Sequence, residues 1–286
     1  SSAFGTDKRF APFWSFGLGV NLHKYEFMKS MEFVDQLKIR GSYGQTGKAN
    51  FPAYAARTTY LVSTDKWYKT GISTKLQALG NNKLTWETTN SFDIGAEITL
   101  FHDFLYVKGS YYNKRTIDLI NDVTVPTSTG FTSYRDNIGE VSNKGCEFDL
   151  RISAYRSKDW LVIFNANLAH NKNRIEKISE SLKAYNQRVR DQFEKQYVYG
   201  DPEQALQTQP FLQYEEGGSL SSIWGVRSLG INPADGQEVL LNRQGMMTKA
   251  WSASDQVVLG TTEPTVQGTF GFNVVYKQFS LFTDFM

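Results

Sequence analysis

Ser91-Phe92-Asp93-Ile94-Gly95-Ala96-Glu97-Ile98-Thr99-Leu100-Phe101-His102-Asp103-Phe104-Leu105-Tyr106-Val107-Lys108-Gly109-Ser110-Tyr111-Tyr112 decides how this chain folds. Phe92, Ile94, Ala96, Ile98 and Leu100 fall on one side of an extended segment, with Asp93, Gly95, Glu97 and Thr99 on the other. After His102 and Asp103 the pattern resumes: Leu105, Val107, Gly109 and Tyr111 oppose Tyr106, Lys108, Ser110 and Tyr112. Side chains alternate across a strand, so this is a β-hairpin with one apolar and one polar face. Runs of this length joined by tight turns at one end and long loops at the other have the layout of a transmembrane β-barrel.

Working outward, period-2 runs recur near 12–22, 36–46, 88–101, 104–117, 139–155, 159–173, 266–277 and from Phe279 onward. The expected fold class is therefore all-β, an antiparallel barrel wall of about eight strands. Charges of both signs keep to one face. Lys38, Arg40, Glu97, Lys108, Glu147, Asp149 and Arg151 are expected to line a wet barrel interior. The same alternation suits a soluble sandwich, in which two apolar faces meet. Loop lengths favour the barrel: 23–35, 102–103, 156–158 and 277–278 connect one end, and 47–87, 118–138 and 174–265 the other. The last of these, a large excursion expected outside the cell, is too long to lack structure of its own. Leu182, Tyr185, Val189, Phe193 and Tyr197 predict an amphipathic helix within it, and Asp235-Gly236 predicts a turn.

Composition is compatible with this reading. No stretch approaches the roughly 20 apolar residues of a membrane helix, and the mean hydropathy is −0.42. A barrel escapes that test because half of each strand is polar. Aromatic residues make up 14% of the 286, which suits girdles at membrane boundaries. Net charge is only +2, and the basic run from Arg188 to Lys195 is interleaved with acids, so no nucleic-acid partner is expected. The closing run, Phe279 to Met286, has the composition of a strand still in progress, and the chain is expected to be part of a longer protein.

Catalytic chemistry finds little support. His23, His102 and His170 fall at separate strand ends, the first two at the short-turn end. Glu147 and Asp149 would lie about 7 Å apart on one strand face, but Arg151 beside them makes an ion-pair lining. Cys146 alternates in phase with Phe148, Leu150 and Ile152 and reads as an apolar-face residue. No catalytic residue, metal or cofactor is expected. Aromatics in the long loops, Trp67, Tyr68, Tyr214, Trp224 and Trp251, are the candidate substrate contacts, since sugars and peptides stack on exposed rings. Packing of the loops on one another is the competing role for these residues. Trp86 and Trp160, at strand ends, read as girdle residues.

Several blocks carry a family likeness. Leu37-Lys38-Ile39-Arg40-Gly41-Ser42-Tyr43-Gly44-Gln45-Thr46-Gly47, Leu79-Gly80-Asn81-Asn82-Lys83-Leu84-Thr85-Trp86-Glu87-Thr88 and Tyr111-Tyr112-Asn113-Lys114 come first. Asn137-Ile138-Gly139-Glu140-Val141 with Asn143-Lys144-Gly145, Asn167 to Asn173, and Gly230 to Gly236 follow in order. Together they resemble SusC/RagA-type TonB-dependent transporters of Gram-negative outer membranes. The resemblance implies a 22-stranded barrel with a plugged lumen, of which residues 1–286 are a carboxy-terminal part without the plug. It also implies import of oligosaccharides or peptides beneath a SusD-like surface lipoprotein lid, energised by TonB through the plug, in contact with outer-membrane lipid. A passive porin or adhesin barrel and a soluble all-β glycan-binding module are the alternatives.

Overall fold

A computed structural model describes residues 12–48, 57–68, 71–78, 80–81, 84–124, 133–180, 182–184, 186–187, 191 and 213–286. The strands, in chain order, begin with β1 (Trp14–Asn21), β2 (Val34–Lys48), β3 (Thr59–Tyr68), β4 (Gly71–Ala78) and β5 (Glu87–Leu100). Next come β6 (Leu105–Thr124), β7 (Ser133–Arg156), β8 (Trp160–Ile178), β9 (Ser222–Gly225) and β10 (Arg227–Ile231). The series closes with β11 (Glu238–Leu241), β12 (Met247–Thr248), β13 (Val257–Thr261), β14 (Val266–Tyr276) and β15 (Phe279–Phe285). Eight of them form one antiparallel sheet in the order β1-β2-β5-β6-β7-β8-β14-β15. These are the eight alternating runs of the sequence, paired in chain order with no crossover. Small sheets β10-β11-β12, β13-β9 and β3-β4 occupy the long connections.

At the short-turn end β5 meets β6 through four residues, with Leu100 opposite Leu105. Phe101, His102 and Asp103 all have positive φ, 58°, 57° and 64°, so the turn is two residues wider than the alternation indicates. The β1–β2 connection is two 3-10 turns, Leu22–Lys24 and Glu26–Met28. Trp160 and Tyr276 pack with ring centroids 4.4 Å apart at this end of the sheet.

The opposite end departs from the expected loop over 118–138. β6 continues to Thr124 and β7 starts at Ser133, still paired. The alternation breaks because the register shifts between Thr116 and Ile120 and Asp118 takes a φ of 56°. A bulge of this kind moves side chains out of phase and erases the period-2 signal while pairing persists. β7, at 24 residues, is more than twice the 9–11 residues that cross a bilayer.

The apolar face is uncovered. Phe16, Phe92 and Leu168 are 67%, 42% and 51% exposed, and among the described residues no second layer packs on that face. The buried core lies instead at the long-loop end, where Ile138, Val141, Ile175, Ile178 and Leu182 cluster with Leu119, Tyr214 and Leu220. Within the predicted helix, residues 180, 182–184, 186, 187 and 191 are helical. Tyr185, Val189, Phe193 and Tyr197 lie outside the described residues. The turn at Asp235-Gly236 forms as expected, closed by the Gly236 N–H donating to the Asn232 carbonyl at 2.8 Å.

Candidate functional site

The register of the sheet brings the charged residues of one face into rows. Lys38 lies opposite Glu97, Glu97 opposite Lys108, and Lys108 opposite Asp149. Signs therefore alternate across β2, β5, β6 and β7. The Lys108 ammonium donates to Asp149 at 2.9 Å, and Arg40 sits 3.7 Å from Glu97. The same row ends on Asn167 and Thr269, whose side chains hydrogen-bond at 2.7 Å. Gly95 leaves the space through which Arg40 reaches, since a Cβ there would stand 3.2 Å from its Nε. Such half-exposed pairs contribute about 0.2–1 kcal/mol each. Their larger effect is on register, because a one-residue slip would turn every charge onto the apolar face.

One step toward the short turns, Tyr106, Arg151, Asn165, Gly271 and Asp284 form a second row. Between the two rows lies a polar niche of about 280 Å³, which Asp149, Arg151, Asn167 and Asp284 help to line. Arg151 stacks over Tyr106 at 5.2 Å and donates to Asp103 at 3.1 Å. Asp103 also lies 3.6 Å from Arg156, and its backbone N–H donates to Asp35 at 3.0 Å. This turn latch ties three strands together, and the alternation gives no hint of it. Glu147 faces Ser110 in the next row toward the long loops. The face as a whole is polar and mixed in sign, and it concentrates no single charge that would hold an ion.

Three asparagines of the sequence blocks bind the long-loop end together. Asn137 accepts the Thr85 N–H at 3.0 Å and donates to the carbonyls of Asp118 at 2.7 Å and Thr85 at 3.3 Å. Asn81 donates to the Arg135 carbonyl at 3.1 Å and to the Asp136 carboxylate at 2.9 Å. Asn173 accepts from the Ser219 hydroxyl at 3.0 Å and the Leu220 N–H at 2.9 Å, and donates to Asn143 at 2.9 Å. The blocks recognised in the sequence thus meet one another: 79–88 docks on 135–137, and 167–173 holds the segment after 213. Leu84, within the first of these segments, is only 1% exposed.

The candidate aromatic contacts are dispersed. Trp67 and Tyr68 stand on β3 opposite Ile72 and Gly71, with side chains outside the described ones. Tyr214 packs against the buried cluster and its hydroxyl accepts from Asn121 at 3.2 Å. Burial pushes its phenol pKa up. Trp224, on β9, faces Val258 of β13, and its indole N–H is buried without a partner among the described residues. Trp251 is 40% exposed. His23 and His102 lie at the short-turn end, while His170 is at the other, its Nδ1 2.6 Å from the Thr265 carbonyl. Among the described residues no three His, Cys, Asp or Glu side chains converge on a metal-sized space.

Comparison with known proteins places this wall. The family model for the TonB dependent receptor-like β-barrel matches residues 1–254. TonB-dependent receptor P26 of Formosa agariphila is 36% identical over 178 residues, 61% of this chain and 18% of the relative. TonB-dependent receptor P3 of the same organism is 26% identical across 98% of this chain and 28% of its own. TonB-dependent receptor SusC of Bacteroides thetaiotaomicron is 29% identical over 185 residues, 63% of this chain and 18% of the relative. Solved structures of the RagAB peptide transporter superpose with a TM-score of 0.78 at 23% identity, over 99% of this chain and 30% of theirs. The chain thus spans less than a third of the relatives it matches. Proteins of this family are outer-membrane transporters and receptors of Gram-negative bacteria, not enzymes. With eight antiparallel strands in chain order, one apolar and one charged face, and a family match over most of its length, this chain belongs to the TonB-dependent receptor-like β-barrel family.

Proposed function

We propose that the chain forms part of the wall of an outer-membrane active importer for oligosaccharides or peptides. The apolar face meets lipid. The charged face, from Lys38 and Arg40 to Glu147, Asp149 and Arg151, lines the lumen through which cargo passes. One observation carries the reading: the apolar faces of the eight long strands are exposed together, whereas a soluble sandwich would bury them. The likeness to SusC and to the RagAB peptide transporter supports a SusD-like lipoprotein lid over the long-loop end. In this reading 174–265 is an extracellular excursion, and TonB supplies energy through a plug outside these residues. Trp67, Tyr68, Tyr214, Trp224 and Trp251 are the proposed cargo or lid contacts. The wall itself catalyses no reaction.

Uptake of labelled oligosaccharides and peptides by cells carrying the full-length protein tests this. Accumulation against a gradient that stops when TonB is deleted is the expected result. Equilibration without TonB would establish a passive porin instead, and a protein that stays monodisperse without detergent would sink the membrane reading.

A further inference from the structure

The outward face of β6, β7 and β8 changes character within a single row. Tyr111, Cys146 and His170 stand side by side at the top of the apolar band. In the next outward row toward the long loops are Asn113, Lys144 and Lys172. Lys144 and Lys172 are directly opposed, which puts their Cβ atoms about 4.5–5.5 Å apart, and like charges so placed repel. The Asn143–Asn173 hydrogen bond of 2.9 Å, on the other face, holds the strands in the register that forces the two lysines together.

Among the described residues neither lysine makes an ion pair or hydrogen bond, and both are exposed. Of the acids beyond them on the same face, Glu176 lies within electrostatic reach of Lys144, but both Glu140 and Glu176 make their close contacts with other residues. Arg115 holds Glu140 at 2.5 Å. The Ser142 hydroxyl donates to Glu176 at 2.6 Å, with Arg174 3.9 Å away. Glu147, the nearest acid along β7, points to the opposite face.

Depth makes the pair meaningful. Trp160 and Tyr276 mark the short-turn boundary. From Trp160 to Lys172 is about 12 residues of strand, which at roughly 3.3 Å per residue and 40° of tilt rises about 30 Å. That is the thickness of the hydrocarbon core, so both ammonium groups emerge at the headgroup level of the far leaflet.

We propose that Lys144 and Lys172 dock a phosphate group borne by an outer-leaflet lipid, whose acyl chains lie along Leu168 and Phe148 below. A phosphate between the two would convert mutual repulsion into two charge-assisted contacts. The apolar strip immediately below favours a lipid-borne phosphate over a free one. This inference rests on the apolar face being the lipid face.

The test uses the full-length protein in mild detergent, with native mass spectrometry reading retention of bisphosphorylated and dephosphorylated lipid A. Wild type is expected to retain the phosphorylated form more tightly. Lys144→Gln/Lys172→Gln should weaken it by roughly 30-fold, about fivefold per lysine, while Lys144→Arg/Lys172→Arg keeps it. Inorganic phosphate at tens of millimolar should not displace the lipid. Equal retention of the two lipids, or equal retention by wild type and the Gln variant, overturns the proposal, as does complete displacement by inorganic phosphate. If neither protein takes up lipid or needs detergent, the membrane reading itself has failed.

Discussion

Asn137 concentrates more of the architecture in one side chain than any charged residue does. Its amide bonds to Thr85 and Asp118, joining the segment before β5, the bulge of β6 and the start of β7. Each such hydrogen bond contributes about 1 kcal/mol, and stranding its partners adds a desolvation cost. Asn137→Ala should therefore cost about 2–3 kcal/mol and expose residues 84–86 to faster hydrogen exchange, with the short-turn end unchanged; uniform exchange across the sheet would contradict this role. Asp235 acts by charge. The Lys249 ammonium, and then the Gln237 backbone N–H, hold its carboxyl below the usual range. A carboxyl depressed in the folded state contributes stability above its unfolded pKa and loses it as pH falls through the folded value. The β10–β11–β12 hairpin should accordingly hold firm at neutral pH and loosen below about pH 4. Hydrogen exchange corrected for intrinsic rates checks this, and Asp235→Asn should flatten the acid dependence.

The elements show which physics the sequence displays and which it conceals. The eight strands of the main sheet were legible because alternation runs along them, over the width of a bilayer in β2, β5, β6, β7, β8 and β14. The outer part of β6 was not, because the bulge near Leu119 and the positive φ of Asp118 break the period while leaving the ladder intact. Strands of two to five residues such as β9 to β13 are too short for any period to declare itself. The charged face was legible residue by residue, but which acid meets which base is set by hairpin register, so the Asp103 latch went unseen. That turn offers its own test. A left-handed conformation costs a non-glycine residue about 1–2 kcal/mol. His102 is exposed and among the described residues makes no hydrogen bond or ion pair that offsets it, so His102→Gly should stabilise the hairpin by about 0.5–1 kcal/mol. Asp103→Gly, at nearly the same φ, should destabilise it by freeing Arg151 and Arg156. Urea unfolding of the full-length protein in micelles would show the opposed signs; two shifts of the same sign would mean that backbone strain alone governs the turn.

For the whole molecule, the two faces of the sheet impose opposite rules on neighbouring residues. Phe148 and Glu147 are adjacent on β7, in the outer third of the band, and point in opposite directions. Phe148 packs beside Leu168 on the exposed apolar face, while Glu147 lies on the polar face opposite Ser110. If the apolar face meets hydrocarbon, Phe148→Arg places a charge roughly 10 Å below the headgroup level and should cost about 1–3 kcal/mol, between the midplane and interface values. Glu147→Arg, entering a wet interior that already holds Arg40, Lys108 and Arg151, should cost under about 1 kcal/mol. Reversible folding into lipid vesicles, followed by the heat-dependent gel mobility typical of barrels, measures both. A soluble sandwich predicts the order only weakly, since its apolar face would be a protein core in which arginine is equally unwelcome, but it predicts no dependence on lipid. Thinning the bilayer should therefore shrink the Phe148→Arg penalty, because the guanidinium then reaches headgroups sooner. A penalty that stays constant across lipid thickness would place Phe148 against protein and would remove the foundation of the importer reading.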